Sequence, residues 1–75
     1  MSSKVTDITI LECRKGTVKG VKDHPLKGRL LSLGILKGKS IEIIHTSLFS
    51  GAYYVRVGTQ TFGLRKEELE QILVS

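Results

Sequence analysis

Few residue types in this chain could act on a substrate or hold a metal ion. Cys13 is the one cysteine and His24 and His45 are the two histidines; these are the soft and borderline donors that transition metals favour, and Asp23 adds a carboxylate. Their positions follow no ligand spacing. Asp23 adjoins His24 and could orient its ring from behind, as carboxylates do for metal-bound imidazoles, so Asp23, His24 and His45 are the weak candidates for a divalent metal. The plainer reading makes His24 a helix-start or surface residue and His45 a strand-end residue on the face of Ile41 and Ile43. Free cysteine commonly packs as a small hydrophobe, so Cys13 is expected in the core. No serine sits in a Gly-x-Ser-x-Gly elbow, and Cys13 has no partner base identifiable from the sequence. Leu36-Lys37-Gly38-Lys39-Ser40 has one glycine where a phosphate-binding loop needs two. The expectation is a protein that is not an enzyme.

Charge is the stronger signal. Lys and Arg number 12 against 7 for Asp and Glu, a formal +5. All 12 basic residues but only four of the 7 acidic ones fall within residues 1 to 66, a local +8, because Glu67, Glu68 and Glu70 come last. Such a surface calls for an anionic partner. Reading single-stranded nucleic acid takes aromatic rings arranged as a stacking platform. Tyr53 and Tyr54 point to opposite sides of one strand, Phe62 reads as core and Phe49 stands alone, which makes a small RNA- or single-stranded-DNA-binding barrel the lesser alternative. Arg29, Lys37 and Lys39 surround a leucine-rich helix and its following turn, with Leu36 and Phe49 as apolar anchors, a compact basic surface able to meet an acidic face. Nothing aims Arg29 or Arg56 at a phosphate, so docking is preferred to an arginine-finger role.

The elements that must position these residues fit one domain. Ordering 75 residues at roughly 1.5 kcal/mol each must be offset by a small core, which favours a shallow binding surface over a deep cavity. An apolar content of 40% with 25% charge is ordinary for a folded chain. One cysteine excludes an internal disulfide framework and fits a reducing compartment. The start of the chain has no signal-peptide stretch and no apolar run reaches roughly 18 residues, so a cytoplasmic protein without direct membrane insertion is expected. Residues 1–7 read as a flexible N-terminus and residues 8–75 as the domain. Short β-branched or apolar segments at Ile8 to Cys13, Thr17 to Lys22, Ser40 to Thr46, Ala52 to Val57 and Gln60 to Leu64 read as strands, with a bulge at Gly20 bringing Val18 and Val21 inward. Between the second and third, Asp23 can cap and Pro25 can begin a short helix whose Leu26, Leu30 and Leu33 face the core. Gly34 is expected to end it in the left-handed conformation and let Ile35 fold back on Leu30, while Gly38 turns the chain into the next strand. Arg65 to Gln71 reads as a helical turn or two. An extended Ile72-Leu73-Val74 pairing with the first strand would close the sheet. The fold class is mainly β, a small SH3-like barrel of five to six short antiparallel strands with one or two short helices. Barrel edges can also pair between copies, which leaves a homo-oligomer open.

From Arg14 to Val74 the chain resembles the FeoA family of small proteins of ferrous iron uptake. Lys27 to Ile44 is similar to that family's pattern of Arg-Leu, two spacers, Leu-Gly-hydrophobic, Gly and an alternating strand. Phe62 to Val74 is similar to its closing hydrophobic-x-Leu-Arg, short helix and Ile-x-Val. The chain departs from the family at Arg14-Lys15-Gly16 and at Phe49-Ser50-Gly51-Ala52-Tyr53, where members carry proline-containing turns. The resemblance implies an accessory or regulatory module that docks on the cytosolic, GTPase-containing part of a FeoB-like membrane transporter. It also implies an alternative activity, binding of Fe²⁺ or another divalent transition metal.

Overall fold

The computed structural model describes residues 8–75; the expected flexible segment 1–7 lies outside them. Element order is α1 (Ile10–Cys13), β1 (Lys15–Val21), α2 (Lys27–Ser32), β2 (Ser40–Thr46), β3 (Tyr53–Val57), β4 (Gln60–Leu64), α3 (Lys66–Leu69) and β5 (Ile72–Val74). The strands form one antiparallel sheet ordered β4-β3-β2-β1-β5.

Strand β1 is the pivot. Its first residues pair with β2, Lys15 opposite Glu42 and Gly16 opposite Ile41, and its later ones pair with β5, Val18 opposite Val74 and Val21 opposite Ile72. The register shifts between Val18 and Gly20, the expected bulge, and Val18 is buried while Val21 packs against the core. The extra residue bends the strand so that its two halves serve two neighbours.

Two expectations are corrected. The first segment is not a strand: Ile10–Cys13 is a helical turn, because Glu12 reaches back to accept the Thr9 N–H at 2.9 Å, one half of a Thr-x-x-Glu capping box. Arg14 then ends the turn at φ 67°. The sheet does not close either, since β4 and β5 are its outer strands. Of the pairing foreseen between the first and last segments, a bridge between Thr9 and Leu73 and a bond from the Val74 N–H to the Ile8 carbonyl at 2.9 Å persist. These cover the outer side of β5 and leave β4 as the open edge.

The core gathers Val18, Ile41, Ile43, Val55, Val57, Leu64, Ile72 and Val74 from the sheet, Ile10, Leu30 and Leu69 from the three helices, and Ile35. Each such aliphatic side chain stabilises the fold by about 1.5–3 kcal/mol relative to exposure. Helix α2 ends as expected: Gly34 has φ 93°, its N–H donates to the Leu31 carbonyl, and the Ile35 N–H donates to the Leu30 carbonyl. This pair of bonds is a Schellman motif, and it sets Ile35 beside Leu30 in the core.

Candidate functional site

The loop from Leu36 to Lys39 joins α2 to β2. Its shape is fixed from both sides, the Lys39 N–H donating to the Leu36 carbonyl at 3.0 Å while Gly38 and Lys39 exchange bonds with Val18 of β1 at 2.9 and 2.8 Å. Gly38 has φ 95°, which a side chain would resist. Leu36, Lys37 and Lys39 are thereby held exposed on a rigid turn. Beside them runs a shallow cleft of about 240 Å³, walled by Leu33, Leu36 and Val57 on its apolar side and by Lys39, Thr59 and Gln60 on its polar side.

The other two residues of the expected patch, Phe49 and Arg29, lie elsewhere. Phe49 follows β2 whereas the Leu36–Lys39 loop precedes it, so the seven-residue strand sets them roughly 20 Å apart. Arg29 lines a separate cleft with Leu26, Gly63, Arg65, Glu67 and Glu68. Its Nε donates to Glu68 Oε2 at 2.6 Å, and Glu68 Oε1 accepts the Arg65 N–H at 2.8 Å. The Glu68 side chain is 7% exposed and that of Arg29 57%. A buried carboxylate is costly unless its lone pairs are satisfied, and here two donors satisfy it. Sequence reasoning treated Glu68 as one more acidic residue near a helix start. The usable signal was its place three residues after Arg65, the capping-box offset.

The metal candidates are not assembled. His24 is half-buried, and its Nδ1 accepts the Leu26 N–H at 3.0 Å, so it, and not the exposed Asp23, supports the start of α2. His45 sits at the far end of β2. A bulge between Ile43 and His45 inserts Ile44 and turns His45 away from the face of Ile41 and Ile43, where it was expected, to stack on Tyr54 with ring centroids 5.7 Å apart. Cys13, expected in the core, is exposed: on the α1 turn Ile10 is the buried residue. Among the described residues no three metal-ligating side chains converge, so these residues do not fit a resident metal site. Nor, among the described residues, does any helix have the length and apolarity to cross a membrane.

The outer face of the sheet carries a charged row, Lys15 opposite Glu42 and Glu42 opposite Arg56, along a shallow cleft of about 250 Å³. Glu42 and Arg56 approach to 3.9 Å. Of the aromatics, Tyr53 and Phe62 pack against the core while Tyr54 faces out.

This arrangement has relatives. The Campylobacter jejuni protein named "Putative Fe(2+) transport protein A" is 40% identical over 63 residues, 83% of this chain and 85% of that protein. Among solved structures, Stenotrophomonas maltophilia FeoA complexed with zinc, described as a prokaryotic SH3 domain protein, superposes with a TM-score of 0.67 at 29% identity. The match covers 81% of this chain and 78% of that one. ScaR with bound Cd²⁺ superposes with a TM-score of 0.75 at 29% identity over 91% of this chain, which spans 35% of the ScaR chain. The model of the FeoA domain matches residues 9–75, the whole sheet with its three helices. A five-stranded SH3-like sheet pivoting on β1, and a sequence that matches from Thr9 to the last residue, place this chain in the FeoA family of ferrous iron transport proteins.

Proposed function

We propose that this protein is a non-enzymatic accessory module of ferrous iron uptake, docking in the cytoplasm on the GTPase-containing part of a FeoB-type transporter. The observation that carries the reading is the rigid Leu36–Lys39 turn, which offers one exposed leucine followed by two exposed lysines beside a shallow cleft with one apolar wall. Preordered backbone lowers the entropic cost of association, and a leucine anchor rimmed by lysines suits an acidic surface with a small apolar recess. The family's link to iron transport supplies the class of partner.

Binding of the purified protein to the soluble cytosolic domain of such a transporter, followed by calorimetry, tests this. Wild type should bind, and affinity should fall as ionic strength rises. Lys37→Glu with Lys39→Glu should weaken binding about tenfold or more, and Leu36→Ala should cost about 1–2 kcal/mol. A folded transporter domain that shows no binding at low salt would overturn the proposal.

A further inference from the structure

The β2–β3 hairpin ends in a feature that the docking loop does not use. Leu48 and Phe49 sit side by side at its tip, 91% and 101% exposed. Residues 43 to 55 contain no Asp, Glu, Lys or Arg, in a chain where a quarter of the residues are charged. The tip is internally bonded: the Ser47 N–H donates to the Ala52 carbonyl, the Gly51 N–H to the Ser47 carbonyl, and the Ser50 and Ala52 N–H groups to the hydroxyls of Ser47 and Ser50. Behind the tip, Ile44 and Tyr54 are exposed and His45 stacks on Tyr54. Cations line this end too. Arg14 reaches Thr46 Oγ1 at 3.5 Å, and Lys15 and Arg56 lie further back with Glu42 between them.

From tip to base the hairpin thus passes from the apolar pair to Thr46 with the Arg14 guanidinium, then to His45 and Tyr54, then to Lys15 and Arg56. We propose that this end of the molecule is a membrane-contact site, with Leu48 and Phe49 dipping into the headgroup region of an anionic bilayer. Thr46 is two residues from Leu48, so at about 3.3 Å per residue Arg14 stands roughly 7 Å behind the tip. Amphipathic segments bury about 5–10 Å into the interface, which puts Arg14 at the height of the lipid phosphates. Lys15 and Arg56 outweigh Glu42 and add attraction to a negative surface. A bilayer fits this shape better than a protein. A protruding apolar pair needs a matching pocket in a protein but none in lipid, and the tip's internal bonds reduce the cost of leaving water. The sequence expectation of no membrane insertion rested on the absence of a spanning run; a contact of this kind needs only a few side chains, and their exposure is visible only in the fold.

The chain has no tryptophan, so Phe49→Trp supplies a single emitter. With vesicles of phosphatidylcholine mixed with phosphatidylglycerol, its emission should shift to the blue and be quenched by lipids brominated near the headgroup. Phosphatidylcholine vesicles alone should give little change. Co-sedimentation of the otherwise native chain with the anionic vesicles should fall about tenfold or more in Leu48→Ser with Phe49→Ser. Circular dichroism should be unchanged in that variant, because both side chains are outside the core. Arg14→Gln should weaken anionic binding about fivefold, the worth of one juxtamembrane charge. Unshifted emission at low salt, a double variant that sediments like wild type, or a shift produced by an acidic polypeptide and not by vesicles would each overturn the proposal. No transporter is in the assay, so its outcome is independent of the Leu36–Lys39 docking test.

Discussion

The residue that departs most from its ordinary role is Glu68. A glutamate in a row of acidic residues reads as a solvated charge, yet this one is buried and receives both the Arg29 guanidinium and the Arg65 amide. It ties α2 to the start of α3, two segments far apart in sequence. Removing it loses two charge-assisted bonds and their packing. Glu68→Ala should therefore lower stability by about 2 kcal/mol in urea unfolding. Arg29→Ala should cost less, because the exposed guanidinium also faces water and the Arg65 bond survives. If the two substitutions cost the same and add independently in the double variant, the ion pair does not organise this corner. Arg29 is thus engaged within the fold, and a role for it in partner binding is best probed by Arg29→Lys, which keeps the charge.

At the scale of elements, the sheet depends on how closely its strands can approach β1. A methyl group on Gly16 would meet the Ser75 carbonyl at 3.0 Å and Val74 Cβ at 3.2 Å, so the closing strand needs a glycine there. Around Gly20 nothing lies within 4 Å. Gly16→Ala should destabilise the protein by about 1–3 kcal/mol and free the last strand first, seen as faster amide exchange at Val74. Gly20→Ala should be within about 1 kcal/mol of wild type, since its φ lies outside the left-handed range. Equal losses at both sites would contradict the packing of β5 on β1. The same scale explains what the sequence reading missed. Alternation placed β2 and β4 to the residue, and Leu30, Gly34 and Ile35 announced the helix stop. The Ile8 to Cys13 segment is apolar enough to pass for a strand, and only the Thr9–Glu12 offset pointed to a turn.

For the molecule as a whole, the separation of its histidines and cysteine bears on metal binding. His24 accepts the Leu26 N–H just before α2, His45 stacks outside β2 and Cys13 is exposed on α1, with no three ligands converging among the described residues. A resident metal would stabilise the folded state by mass action. Thermal melts with a chelator or with equimolar Zn²⁺ should therefore agree within about 1 °C. A rise of several degrees on adding metal, lost in His24→Ala or His45→Ala, would show that these residues do bind it. The basic surface is likewise divided by the fold. The Leu36–Lys39 turn and the Leu48–Phe49 tip stand at opposite ends of β2, so the two proposed contacts use separate faces of one small domain.

The sequence by itself determined the fold class, the strands from Ser40 to Leu64 and the helix stop at Gly34, because each is written in local periodicity, glycine placement and spacing. Tertiary structure alone decided that Glu68 is buried, that Cys13 and His45 face outward, that the sheet stays open, and that Phe49 stands apart from Leu36. Those outcomes depend on a bulge, a turn of helix and the length of one strand, each of which redirects side chains without changing the pattern of residue types.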